Sequence, residues 1–217
     1  MTADAVIFDL DGTLIDTEQV WDEVRRGLAT DAGITWRPEY STAMMGMSTP
    51  EWSRYLSEVV GLPVPPEEAA RMTVQGMVDH YTSGVTIQPG AVRAVERMAG
   101  EFRVGIASSS PRVLIEAAAS EMGITELLDA TVSTEECRRG KPAPDGYLAA
   151  CAALDCLPGR TVAVEDSEPG ILSALHAGLS VVAVPVDAHR PSDELLARTT
   201  VLGSLDELTV ELVRGLA

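Results

Sequence analysis

No apolar run in this chain is long enough to cross a lipid bilayer, which excludes a membrane-spanning helix. The first residues, MTADAVIFDLDG, lack the basic, apolar and small-residue succession of a secretory signal, so the sequence reads as cytoplasmic. Cysteine is scarce. Cys137, Cys151 and Cys156 form no even-numbered disulfide framework and match no zinc spacing, which leaves them as reduced thiols serving as small apolar side chains. Positive charge is scarce too, with 16 Lys and Arg against 33 Asp and Glu, a formal net charge of −17. Such a surface repels nucleic acid and anionic lipid, and the one basic cluster, Arg138-Arg139-Gly140-Lys141, is too short to serve either. An anionic ligand must therefore be small, and held by a few placed groups or by a metal. There is no internal repeat and no low-complexity segment.

What is present is enough for one good-sized domain, or a core with a smaller companion, in 217 residues that are 46% hydrophobic and 23% charged. Five short runs read as strands: AVIFD (5–9), RVGIA (103–107), DATVS (129–133), TVAVE (161–165) and SVVAV (180–184). Most are continuously apolar, as strands buried on both faces of a parallel sheet must be. Helical patterns lie at 89–100, 111–122, 144–156 and 168–178, with Pro111 at one start and Gly100, Gly123 and Gly178 at stops. Strand alternating with helix predicts a doubly wound parallel α/β sheet.

Residues 17–83 break this rhythm. Val20, Trp21, Val24 and Leu28 share one face of a helix that stops near Gly33, a second helical segment lies around 50–60, and a third runs from Pro66 to about Tyr81. The reading is an α/β core made of 1–16 and 84–217, with an all-helical domain at 17–83 inserted after the first strand. Asp16-Thr17 and Ser83-Gly84-Val85 suit hinges between the two.

In open α/β sheets ligands gather beyond the carboxyl ends of the strands. Here those ends carry Asp9 and Asp11, then Ser108, Ser109 and Ser110, then Gly140-Lys141-Pro142, then Glu165 and Asp166. Two aspartates one residue apart at the mouth of a buried strand are costly unless something neutralises them. Hard carboxylate ligands in small number suit Mg²⁺, which accepts phosphate oxygens as further ligands. One carboxylate in such a site is available as nucleophile, and another two residues on as general acid and then base. A lysine and a hydroxyl supply donors for phosphoryl oxygens. The three serines also suit capping of the helix that begins at Pro111, with Ser109 or Ser110 as the cap and Ser108 left to bind.

Four stretches, FDLDGT (8–13), GIASSSP (105–111), RGKPAPDGY (139–147) and VEDSEPGILSALHAGLSVVAVP (164–185), occur in an order and spacing that resembles the haloacid dehalogenase-like hydrolase superfamily. The resemblance covers nearly the whole chain and points to the branch with a helical cap after the first strand, similar to β-phosphoglucomutase and to phosphoglycolate and sugar-phosphate phosphatases. It implies Asp9 as the nucleophile that forms a phosphoaspartate and Asp11 as acid and base. Ser108, Ser109, Gly12 and Lys141 would hold the phosphoryl group. Mg²⁺ would be bound by Asp9, Asp166 and the Asp11 main-chain carbonyl, with Glu165 as ligand or behind the ligands.

An aspartate at position 11 favours phosphoryl transfer over carbon–halogen cleavage, since dehalogenating relatives lack it. The implied activity is Mg²⁺-dependent hydrolysis of a small phosphorylated metabolite, a sugar, polyol or glycolate-type phosphate, by a monomer or weak homo-oligomer with no nucleic-acid or membrane partner. Thr17, Trp21, Gly46 and Met47 would contribute to substrate selection, although Trp21 equally suits packing with Val20 and Val24. A hexose-phosphate mutase is the competing enzyme reading, weakened because the mutase's cap histidine and arginine fall on Trp21 and Thr49. A non-enzymatic phosphoacceptor resembling a receiver domain is the other, and the helical insertion after the first strand does not suit it.

Overall fold

A computed structural model describes residues 2–44, 47–186 and 190–216. Gly46 therefore lies outside the described residues. From the amino end, β1 (Ala5–Phe8) is followed by α1 (Glu18–Asp31), α2 (Pro38–Met44), α3 (Thr49–Tyr55) running on into a π-helical turn at Leu56–Val60, and α4 (Pro66–Tyr81). The chain continues as α5 (Ala91–Ala99), β2 (Arg103–Ser108), α6 (Arg112–Glu121), β3 (Ala130–Ser133), α7 (Asp145–Ala153) and β4 (Thr161–Glu165). It closes with α8 (Glu168–Ala177), β5 (Ser180–Ala183), α9 (Asp193–Leu196), β6 (Thr200–Val201) and α10 (Val210–Gly215).

The strands form one parallel sheet in the order β3-β2-β1-β4-β5-β6. β1 lies centrally, Ile7 pairing with Gly105 on one side and Ala163 on the other. All of its residues are buried, as are all of β4. Continuous apolarity is what two covered faces require, and burying Val6, Ile7 and Phe8 contributes about 1.5–3 kcal/mol each. The predicted doubly wound sheet is present. β6 carries no sequence signal because two residues are too few to show a period.

The chain divides into two compact units, Met1–Asp16 with Val85–Ala217, and Thr17–Gly84. In the second, Ala29, Met44, Trp52, Leu56, Val60, Leu62 and Ala69 form the core, and Trp21 packs against it. The Trp21 and Trp52 rings lie 5.9 Å apart, with the Arg25 guanidinium 4.9 Å from each. In the first unit the segments flanking the insertion pair with each other. The Asp16 amide donates to the Thr86 carbonyl at 2.8 Å, the Gln88 amide to Leu14 at 2.9 Å, and Ile15 bridges Ile87. No described helix is long and apolar enough to cross a membrane.

Two helix ends show how the sequence terminates its elements. At α8, Ser167 accepts the Gly170 amide at 3.2 Å to start the helix, and Gly178 at φ +85° reverses the chain at its end. At α7 the helix stops short of the predicted residue 156, because Asp155 takes φ +49° and turns the chain. A side chain in the left-handed region costs about 1–2 kcal/mol relative to glycine, somewhat less for aspartate. Gly178→Ala should therefore lose about 1–2 kcal/mol, and Asp155→Gly should gain about 0.5–1 kcal/mol. Urea denaturation of the two variants beside the wild type checks both signs.

Candidate active site

β1 and β4 end side by side, and their ends carry the acidic residues outward together. The Asp9 amide donates to the Val164 carbonyl at 2.9 Å, which extends the β1–β4 ladder one residue past the strand and fixes the Asp9 backbone. Glu165 closes β4 and is wholly buried, and Asp166 follows it at the turn into α8. Carboxylate oxygens of Asp9, Glu165 and Asp166 lie within 4.8 Å of one another. Lys141 enters from the loop before α7, its Nζ 2.5 Å from Asp9 Oδ1 and 2.6 Å from Glu165 Oε1. That loop is held in place from α8, where Ser173 Oγ donates to the Ala143 carbonyl at 2.6 Å and His176 Nδ1 lies 3.3 Å from the Pro142 carbonyl.

Glu165 has no exposure, so its charge survives only if its oxygens are satisfied. Oε1 accepts from Lys141 and, at 2.9 Å, from the Tyr147 hydroxyl. Oε2 accepts from the Ser167 hydroxyl at 3.0 Å and from the amides of Asp166 at 3.2 Å and Ser167 at 3.3 Å. Both oxygens are thus committed within the protein.

Charge is unbalanced here, three close carboxylates facing one ammonium. Burial on its own would lower the Lys141 pKa, but the charges of Asp9 and Glu165 outweigh it and hold the ammonium above the usual lysine range. Burial pushes Asp9 upward, Lys141 pulls against it, and Glu165, Asp166 and Asp11 add to the rise. Asp166 is pushed up to about 7 by burial and then by the Glu165 charge, against the Thr13 hydrogen bond and Lys141. Its Oδ1 accepts from Thr13 Oγ1 at 2.9 Å. A Cβ at Gly12, where φ is +91°, would fall 2.2 Å from Asp166 Oδ2, so only glycine leaves this carboxylate its place.

Asp11 sits across from the end of β2. Its Oδ2 accepts from Ser110 Oγ at 2.7 Å and from Ser108 Oγ at 3.1 Å, while Ser108 Oγ also takes the Ser110 amide at 2.9 Å. The expected capping of α6 by Ser109 or Ser110 is not made. Pro111 occupies the cap position, and the Ser110 hydroxyl is drawn instead to the Asp11 carboxylate, the stronger, charged acceptor. Ser109 is exposed. The Gly12 amide donates to the Ile15 carbonyl at 2.7 Å, so what Gly12 supplies is space, while its carbonyl accepts from Gln88 Nε2 at 3.1 Å.

The sheet therefore brings Asp9, Asp11, Ser108, Lys141, Glu165 and Asp166 to one edge. In the helical unit Thr17 is buried at the start of α1, and Trp21 and Met47 pack against that unit's core. Sequence reasoning assigned no site role to Thr13, Gln88 or Tyr147, and to Ser110 only that of a helix cap. Tyr147 had a signal, six residues after Lys141 in RGKPAPDGY, and Lys141 had a stronger one, being the only lysine in the chain.

The parallel sheet thus carries clustered carboxylates, a buried lysine and hydroxyls at its carboxyl edge, and the family match assigns this α/β protein to the hydrolases. The chain belongs to the haloacid dehalogenase-like hydrolase family, whose model matches residues 3–178. A validoxylamine A 7'-phosphate phosphatase of Streptomyces hygroscopicus subsp. limoneus is 30% identical over 181 residues, 82% of this chain and 84% of the relative. The fructose-1-phosphate phosphatase YqaB of Escherichia coli (strain K12) is 26% identical over 179 residues, 82% of this chain and 95% of the relative. The crystal structure of CbbY from Rhodobacter sphaeroides in complex with phosphate matches with a TM-score of 0.84 and 27% identity, covering 96% of each chain. The chain is an enzyme, a phosphoric monoester hydrolase.

Removing one partner of a buried ion pair costs about 3–5 kcal/mol, because the other charge stays buried and uncompensated. Lys141→Met should lose about that much in urea denaturation in metal-free buffer. Tyr147→Phe deletes one of five donors to Glu165 and should lose only about 1–2 kcal/mol.

Proposed function

We propose that this enzyme is a Mg²⁺-dependent phosphatase that hydrolyses a small phosphomonoester, a sugar, polyol or glycolate-type phosphate, through a phosphoaspartate on Asp9. The observation that carries the reading is the buried contact of Lys141 with both Asp9 and Glu165 beside Asp166, a set of oxygen donors with more negative charge than one lysine balances. The phosphatase names of the relatives and the phosphate bound in the CbbY structure support it.

The donor set fits a hard divalent cation: carboxylates within 4.8 Å of one another, and Asp166 left room by Gly12. Asp9, Asp166 and the Asp11 carbonyl would hold Mg²⁺, which when bound supplies positive charge to the phosphoryl oxygens and to the crowded carboxylates. Glu165, with both oxygens occupied, orients Lys141 and the Asp166 turn from behind.

The residues then divide the work. Asp9, anchored on the strand ladder, attacks phosphorus in line with the leaving oxygen. Asp11 gives that oxygen a proton, and in the second half-reaction takes one from the water that opens the phosphoaspartate. Lys141 stabilises charge gathering on the transferred group. The Ser108 hydroxyl, now donating to Asp11, turns to a phosphoryl oxygen once substrate is bound. The unit Thr17–Gly84 acts as the cap, with Trp21 and Met47 among the residues that shape its selectivity.

The test is a phosphate-release screen over small phosphomonoesters with Mg²⁺, run beside Asp9→Asn. Turnover of at least one sugar, polyol or glycolate phosphate is expected, with release falling to background in the variant. A variant that keeps wild-type turnover sinks the mechanism. Cation binding should also depend on pH. With Asp166 raised to about 7, the cation must displace a proton below that pH and meets an ionised ligand above it. Calorimetric Mg²⁺ affinity should weaken by about tenfold per pH unit below that value and level off above it.

A further inference from the structure

Four helices, α1, α6, α7 and α8, end on the same reversal, in which two successive amides reach back into the last turn. After α1 these are Gly33 to Thr30 and Ile34 to Ala29, after α6 Gly123 to Ser120 and Ile124 to Ala119, and after α8 Gly178 to Leu175 and Leu179 to Ala174. After α7 they are Asp155 to Ala152 at 3.2 Å and Cys156 to Cys151 at 3.0 Å. This motif puts the side chains at the ends of the longer bond in contact, ordinarily as an apolar pair. Three of the four reversals obey that rule with glycine at the turn and an alanine against isoleucine or leucine. The fourth has Asp155 at the turn and two cysteines as the contacting pair.

The surroundings suit thiol chemistry. Cys156 is half-buried, its Sγ 3.2 Å from Thr161 Oγ1 and 3.5 Å from the Cys151 carbonyl. A cleft of about 280 Å³ opens over the pair, lined also by Asp4, Asp155 and Arg160. It lies at the amino ends of β1 and β4, the sheet edge opposite the carboxylates.

We propose that Cys151 and Cys156 are a redox site that closes to a reversible disulfide by exchange with a low-molecular-weight disulfide. The Cys156 thiolate attacks one sulfur of the oxidant, whose S–S bond breaks and releases one small thiol. Cys151, after losing its proton, attacks the Cys156 sulfur of the mixed disulfide, and the second small thiol leaves. Two protein thiols give up two electrons and two protons, and the small disulfide is reduced to two thiols. Cys151 is buried and Cys156 is partly exposed beside the cleft, which makes Cys156 the entering sulfur and Cys151 the resolving one.

The experiment incubates the full chain with oxidised glutathione, quenches with acid, alkylates, digests with trypsin and weighs the peptide Gly140–Arg160, which holds both cysteines. The expected peptide is two hydrogens lighter than its reduced form, carries no alkyl group and regains both thiols on reduction. Cys137→Ser should close as the wild type does, whereas Cys151→Ser should stop at a stable glutathione adduct on Cys156. Persistent glutathione on wild-type Cys156 overturns the proposal. So does a folded protein whose two thiols stay alkylatable under conditions that oxidise the same peptide in the denatured chain.

Discussion

Lys141 Nζ lies 2.5 Å from Asp9 and 2.6 Å from Glu165, with the three side chains almost or wholly excluded from water. None of these charges is tolerable there alone, since each ion taken from water costs several kcal/mol unless a partner and further hydrogen bonds restore what hydration supplied. The arrangement therefore requires that β1, β4 and the loop before α7 arrive together. Much of the surrounding structure serves that demand. Ser173 and His176 of α8 steady the carbonyls of Ala143 and Pro142, Tyr147 in the first turn of α7 donates to Glu165, and Ser167 does so while also starting α8. Two helices are thus tied to the same buried carboxylate.

One ammonium does not balance Asp9, Glu165 and Asp166, and the cost of burying them is shared between Asp9 and Asp166. Burial raises Asp9 against the pull of Lys141, and burial followed by the Glu165 charge raises Asp166, which Thr13 holds, to about 7. The same feature that makes the cation-free site electrostatically costly makes it a receptive one for a hard cation. Asp11 stands apart from this cluster. It accepts from the hydroxyls of Ser108 and Ser110 at the end of β2.

The sheet was legible in the sequence because both of its faces are covered, and five apolar runs of strand length admit few other solutions. The residues at the strand ends were legible for a related reason, since parallel topology aligns every carboxyl end on one edge. What was hidden depends on side-chain direction. A serine at a helix start reads as a cap until a charged acceptor lies within reach, as Asp11 does for Ser110. A tyrosine in a helix reads as core until its hydroxyl meets a buried carboxylate, as Tyr147 does with Glu165. α2 spans seven residues, too few for a helical period to stand out. The helical insertion was visible as a loss of strand signal, and Trp21 packs against that unit's core beside Trp52.

The roots of that insertion bear on how the loop after β1 keeps its shape. Leu14 and Asp16 pair with Gln88 and Thr86, and the Gln88 side chain reaches the Gly12 carbonyl between Asp11 and Thr13. Gly12 in turn leaves Asp166 its space. The loop that carries Asp9 and Asp11 is therefore braced by the segment through which the chain re-enters the core, and not only by its own strand. A change of dihedral angles inside the paired stretch would break this brace. Just beyond this pairing Gly84 takes φ +119°, a conformation that a side chain rarely tolerates, so the braced stretch ends at a residue with far wider backbone freedom.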